Sequence, residues 1–156
     1  GLVGRIGKLV GTDGNPKMSK SLGNTIFLSE PADDLKKKIQ GMYTDPKRIH
    51  ANDPGTVEGN PIFIYLDAFG TEKDKEPVAD MKNRYQKGTI GDVEVKQYLA
   101  EVMERFIAPI RERRSHYEQN PTEVEAILTK GTARAREETQ KTLAELKNAL
   151  KFNTFI

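Results

Sequence analysis

Apolar residues fall into two regimes along this chain. Over residues 1–28 they come in short runs, Leu2-Val3, Ile6, Leu9-Val10 and Ile26 to Leu28, separated by Gly, Asp, Asn, Lys and Ser. That pattern predicts a short strand through Leu9 and Val10. The stretch GTDGNPKMSKSLGN then predicts an exposed, flexible loop, because its Asp-Gly, Asn-Pro and Gly-Asn steps are turn formers. From residue 29 onward apolar positions recur every three or four residues, the spacing of a helix with one buried face.

The helical part divides at its own punctuation. Ser29 is placed to cap a helix with Pro31, Asp33 and Asp34 in its first turn, and Leu35, Ile39 and Met42 share one face. Lys36, Lys37 and Lys38 read as its solvated side, and Asp45-Pro46 as its stop. Residues 46–60 form a loop in which Asp45 and Asp53 serve turns. Asn60-Pro61 starts a short, almost wholly apolar helix through Phe69. A further helix near 75–86 aligns Val78, Met81 and Tyr85 and ends at Gly88. Asp92 is placed to cap the longest helix, whose stripe is Tyr98, Leu99, Val102, Met103, Phe106, Ile107 and Ile110, with Pro109 expected to kink it. Asn120-Pro121 then predicts a short helix ending near Gly131. A last helix over about 132–150 is expected to turn Ala135, Leu143, Leu146 and Leu150 inward. The expected fold class is mainly α, about six helices packed as a bundle behind a short strand-loop element.

Composition narrows the function classes. With 156 residues and 36% apolar content the chain can bury one core. No apolar run is long enough for a membrane-spanning helix. There is no cysteine, and His50 and His116 are the only histidines, which argues against a thiolate or histidine-based metal centre. The lack of cysteine fits a cytoplasmic setting. Net charge is only +2, but nine Lys/Arg face five Asp/Glu over residues 1–50, whereas residues 92–156 hold eleven of each. Any nucleic-acid contact therefore has to use local patches. The first residue, Gly1, and the opening GLVGRIGKLV read like the middle of a domain.

The segment that carries chemistry is Lys17-Met18-Ser19-Lys20-Ser21. Two lysines three residues apart, with serines beside them in a glycine-punctuated loop, offer two ammonium groups, hydroxyls and backbone donors to a polyphosphate. A solvated Lys/Ser turn is the plain alternative. The pentapeptide is the full KMSKS signature of class I aminoacyl-tRNA synthetases. The stretch KMSKSLGNTIFLSEPADDLKKKIQGMYTDP resembles the tryptophanyl-tRNA synthetase family, and GDVEVKQYLAEVMERFIAPIRERR and ILTKGTARAREETQKTL resemble that family's closing helices. The resemblance covers nearly the whole chain.

The resemblance implies that residues 1–28 are the end of a Rossmann-type catalytic domain and residues 29–156 a helical anticodon-binding region. It implies ATP, arriving with Mg, and tryptophan as substrates, tRNA(Trp) as partner, and a homodimer, with no tightly bound cofactor, no resident metal, no DNA and no membrane. By it, Lys20 stabilises the departing pyrophosphate, Lys17 assists at the phosphates, and Met18, Ser19 and Ser21 complete the ATP contact. Ile6 matches a strand whose backbone edge meets adenine, or is simply a buried strand residue. The HIGH-type motif that class I catalysis also needs is missing from these residues, so the segment alone is expected to be inactive. Arg111, Arg113 and Arg114 close the long helix, and Lys130, Arg134 and Arg136 open the last. If those helices form a hairpin the arginines can meet and bind tRNA phosphates, with Tyr117 or His116 stacking on a base. The interleaved Glu112, Glu118, Glu137 and Glu138 equally suit ordinary surface ion pairs. A non-catalytic helical RNA-binding or interaction module, a small-molecule nucleotidyl transferase and a tyrosyl-type synthetase remain the alternatives.

Overall fold

The structure, a computed structural model, describes residues 8–46, 48–50 and 52–152. Among them are five α-helices and two 3-10 turns. The helices are α1 (Ala32–Gln40), α2 (Pro61–Phe69), α3 (Lys75–Gln86), α4 (Asp92–Gln119) and α5 (Pro121–Ala149); the 3-10 turns are Lys20–Leu22 and Glu72–Asp74. No strand occurs among the described residues. The expected strand through Leu9 and Val10 is thus not formed at its C-terminal end: Lys8 to Val10 run as irregular chain, while residues 1–7 lie outside the described residues.

The chain divides into two compact units, Gly1–Glu112 and Arg113–Ile156. The core belongs to the first. α2 is apolar on nearly every side and is buried at Ile62, Phe63, Tyr65 and Leu66. Around it lie Leu35 and Ile39 of α1, Val78 and Tyr85 of α3, and Val95, Leu99, Val102, Met103 and Ile107 of α4. Burying each such side chain contributes about 1.5–3 kcal/mol, and this packing is what makes short helices such as the nine-residue α1 and α2 stable. The Asn60 side chain caps α2 by accepting from Ile62 N–H at 3.0 Å, as Asn60-Pro61 led one to expect. Gly88, with φ of 68°, ends the turn after α3, where a Cβ would lie 2.2 Å from Asn52 O.

Buried polar groups tie the helices together. Asp74 is 2% exposed and accepts from Thr71 N–H and Oγ1, Tyr98 Oη and the Arg105 guanidinium. Burial alone would raise its pKa, but the bonds from Thr71, Tyr98 and Arg105 outweigh it and hold the carboxyl well below its ordinary value of 3.8. Lys96 of α4 donates to Gln40 O and Met42 O at 2.9 and 2.6 Å, closing the C-terminal end of α1; burial lowers its pKa. Arg48 stacks on Tyr85 at 4.2 Å and reaches Asp92, Ile90 O and Asp53 O. Asp53 and Asp45 serve turns as expected, accepting from Ile49, His50 and Thr56 N–H.

Four other expectations are corrected. Pro31, not Ser29, occupies the cap of α1, because Glu30 folds its carboxylate back onto Phe27 N–H and closes a turn there. Lys38 is half-buried and engaged rather than free on a solvated side: it donates to Glu30 Oε2 at 2.6 Å and Thr25 O at 3.0 Å. Asp92 is the first residue of α4 rather than a free cap, and its carboxylate is engaged by Arg48 and Tyr85. Finally, the two closing helices are one. α5 runs 29 residues through Gly131, where nothing crowds the backbone and a lone glycine costs only about 1 kcal/mol, too little to break an otherwise strong helix former. None of its residues is buried, and Ala135, Leu143, Leu146 and the C-cap Leu150, expected inward, are all exposed.

Candidate functional site

The loop carrying Lys17 and Lys20 is built in two tiers. Its neck is closed by backbone bonds, Thr12 N–H to Asn24 O at 3.0 Å and Gly11 N–H to Asn15 O at 2.8 Å. Two bonds fasten the neck to the helical body. Tyr43 N–H donates to Thr12 O at 2.8 Å, and the buried Tyr65 hydroxyl donates to Val10 O at 2.7 Å. Burial, with the nearby Asp13 charge, pushes the Tyr65 pKa up to about 12. Asp13 makes an Asx-type turn, accepting from Asn15 N–H at 3.0 Å and Asn15 Nδ2 at 3.2 Å. Those bonds and one from Asn24 lower its pKa.

Asn24 sits inside the ring, 3% exposed. Its Oδ1 accepts from Ser19 N–H at 2.8 Å, and its Nδ2 donates to Lys17 O at 2.9 Å and Asp13 Oδ1 at 3.0 Å. A Cβ at residue 11 would fall 2.3 Å from Asn24 Nδ2, so only Gly11 lets the two limbs approach this closely.

Above the neck stands the crown, residues 17–23. Lys17, Lys20 and Ser21 are exposed, whereas Met18 and Ser19 are half-buried and Met18 packs against the core. The Ser19 and Ser21 hydroxyls lie 2.9 Å apart. Among the described residues neither lysine is in an ion pair, which leaves both ammonium groups available to an anion. Ile6, expected beside them, lies outside the described residues.

The exit of the loop is braced as well. Lys38 lies 4.7 Å from the centre of the Phe27 ring while holding Glu30 and Thr25 O. Arg111 of α4 donates to Glu30 O at 2.9 Å and pairs with Glu104. Arg111, expected at an RNA surface, is therefore committed to a cross-link between α4 and the loop exit.

The other arginines expected at an RNA surface belong to the second unit. Arg114 pairs with Glu118 at 2.7 Å one helical turn away, and His116 meets Glu123 at 3.1 Å across Asn120. Tyr117 lies edge-on to His116 at 5.2 Å and lines a shallow groove with Arg114, Pro121 and Val124. Arg113, Arg134 and Arg136 are exposed and form no ion pair among the described residues. The short helix expected over residues 120–129 is the first part of the single helix α5. An unbroken α5 carries Arg134 about 20 Å along its axis from Pro121.

Comparison with known proteins decides the family. The family described as tRNA synthetases class I (W and Y) matches residues 4–108. The chain belongs to that family. Among curated relatives, the tryptophan–tRNA ligases of Streptococcus pneumoniae and Streptococcus mutans are 51% and 52% identical over 151 and 149 residues, 97% and 96% of this chain. The chain spans 44% of the length of these relatives. Its structure is similar to the tryptophanyl-tRNA synthetase of Campylobacter jejuni complexed with ADP and tryptophan. The TM-score is 0.77 at 30% identity, covering 94% of this chain and 44% of that one. The enzyme from Aeropyrum pernix is more distant, with a TM-score of 0.57 over 72% of this chain.

Sequence reasoning fixed on the lysines and missed what holds them. Asp13 was legible as a turn residue from Asp-Gly-Asn, but the inward aim of Asn24, eleven residues on, has no local signal. The Lys38–Glu30–Arg111 brace joins positions up to 81 apart and likewise leaves none.

Proposed function

We propose that this chain is the KMSKS-bearing and helical part of a tryptophan–tRNA ligase. The observation that carries the proposal is the crown itself: Lys17 and Lys20 stand exposed on a segment whose base is locked by hydrogen bonds, within a chain 51% identical along 97% of its length to a ligase of that name. In the reaction, the tryptophan carboxylate attacks the α-phosphorus of ATP, which brings Mg with it, and the bond to the β-phosphate breaks. Charge grows on the departing pyrophosphate, and Lys20, with Lys17 beside it, neutralises that charge. Ser19 and Ser21 donate hydrogen bonds, and Met18 anchors the crown on the core. The adenylate then passes its tryptophanyl group to a ribose hydroxyl at the end of tRNA(Trp).

Residues 1–28 serve as the edge of the nucleotide-binding domain, with Ile6 at the adenine, and residues 29–156 as the tRNA-facing helical region. Arg113, Arg114, Arg134 and Arg136 supply the phosphate contacts. Arg111 was grouped with them from sequence, but its bonds to Glu104 and Glu30 assign it to bracing first. The working enzyme is a cytoplasmic homodimer. Activity belongs to the whole polypeptide, since no HIGH-type element occurs in these residues.

The test is tryptophan-dependent ATP–pyrophosphate exchange by the full-length polypeptide that carries this chain. Exchange with tryptophan, reduced about 10²–10³-fold by Lys20→Ala, is the expected result. Exchange with tyrosine alone transfers the assignment to the tyrosine branch of the family. No exchange with any amino acid refutes the proposal.

A further inference from the structure

The lysines of the crown are long, exposed and joined to the body only through the chain between them. Something has to fix where that chain stands if two ammonium groups are to meet a leaving phosphate. Among the described residues, the Asn24 side chain inside the neck links the leaving limb of the crown to the entering one. Asn24 accepts from the amide of Ser19 and donates to the carbonyl of Lys17, so it spans the first three residues of the crown from below. Its second amide hydrogen goes to Asp13 Oδ1, whose other bonds pin Asn15 on the entering limb. Asn24 is 3% exposed, and a Cβ at residue 11 would lie 2.3 Å from its Nδ2, so the side chain is closely enclosed.

We infer that Asn24 is a positioning residue for phosphate transfer: by holding the backbone of Lys17 and Ser19, it sets where Lys17 and Lys20 can reach. The inference rests on the synthetase reading above and names the part of this chain that makes its lysines effective. The amide group is suited to the task because it offers an acceptor and two donors at once. Aspartate is the same shape but donates nothing when ionised. It keeps the Ser19 contact, and it turns the 2.9 Å and 3.0 Å contacts with Lys17 O and Asp13 Oδ1 into repulsions. Displacing a catalytic cation by an ångström is enough to cost about 10²-fold in rate.

The experiment uses the full-length polypeptide and measures kcat and KM in ATP–pyrophosphate exchange for the wild type, Asn24→Ala, Asn24→Asp, Lys20→Ala and the double variant Asn24→Ala/Lys20→Ala. Tryptophan affinity is measured separately by equilibrium binding. Both Asn24 variants should lose about 10–10² in kcat, the aspartate at least as much as the alanine, with tryptophan affinity unchanged. In the Lys20→Ala background, Asn24→Ala should cost clearly less than in the wild type, because only Lys17 is left for it to position. A wild-type kcat in both Asn24 variants overturns the inference while leaving the synthetase reading intact. So does a full, additive loss in the double variant, or an equal loss of tryptophan binding, since either describes general damage to the fold. A wild type that exchanges no amino acid overturns the synthetase reading and this inference with it.

Discussion

Replacing Asp74 by asparagine isolates the buried knot that joins the start of α3 to α4. The aspartate accepts four hydrogen bonds, Thr71 N–H and Oγ1 at 2.8 and 2.7 Å on one oxygen, Tyr98 Oη at 2.8 Å and Arg105 on the other. Asparagine has the same outline but must turn an NH₂ toward one of these pairs; the hydroxyl there can rotate to accept from it, but Thr71 N–H or the Arg105 guanidinium loses its acceptor, and the bonds that remain lose their charge. Hydrogen bonds to a charged acceptor are worth about 1.5–3 kcal/mol each. Arg105 is 38% exposed, so water recovers part of what its guanidinium loses. The expected loss is about 3 kcal/mol, a fall of about 10 °C or more in the unfolding temperature of a unit this size. Asp74→Asn should also flatten the acid limb of the stability curve. The carboxyl's pKa is depressed in the folded state, so its contribution is full above the ordinary value of 3.8 and fades as pH falls through the folded value; the amide cannot titrate. The assay is urea and thermal unfolding followed by far-UV circular dichroism and tyrosine fluorescence, the chain having no tryptophan. Asp67→Asn is the control, since the Asp67–Lys82 pair at 2.6 Å is half in solvent and should be worth less than about 1 kcal/mol. If Asp74→Asn falls within 1 kcal/mol of the control, the knot does not hold the helices and the reasoning fails.

Three further outcomes are expected. Lys96→Met keeps volume but leaves Gln40 O and Met42 O without their donor, and should cost about 1–2 kcal/mol at neutral pH by denaturant unfolding. Because burial lowers the Lys96 pKa, the wild type's advantage should widen as pH climbs towards 10.5, the ordinary value. Gly131→Ala should raise the helical signal and stabilise α5 by about 1 kcal/mol, since a Cβ there meets nothing within 4 Å; circular dichroism checks it. Arg113→Ala and Arg134→Ala in the full-length polypeptide should each weaken tRNA binding severalfold and lower its salt dependence by roughly one counterion, read from filter binding across a salt series.

The helices of the core were legible because their signals are local. Leu35, Ile39 and Met42 recur at helix spacing, Asn60-Pro61 is a start signal, and all of these positions are buried as the pattern says. Gly131 misled because glycine was read as a stop where its cost is merely a tax on a long, alanine- and glutamate-rich helix. Leu143, Leu146 and Leu150 misled for another reason: periodicity reports that a helix has an apolar stripe, not that anything covers it. The five-residue lysine motif marked the candidate phosphate-binding loop, yet its support was invisible, because Asn24, Tyr43, Tyr65 and Arg111 are brought to it by tertiary folding. Arg111 was taken for a free cation on the strength of its neighbours in sequence; its bond to Glu30 O is a contact no spacing rule encodes.

The helix α5 bears on the heat capacity of unfolding. That quantity measures apolar surface newly wetted, and a 29-residue helix with no buried residue has almost none to add. At about 12–15 cal/mol/K per residue, 156 residues of ordinary globular chain would give about 2 kcal/mol/K. The increment here should follow the first unit alone, about 1.5 kcal/mol/K. α5 should then melt as a helix–coil equilibrium, gradually and over a wide span of temperature, beneath the sharp transition of the core.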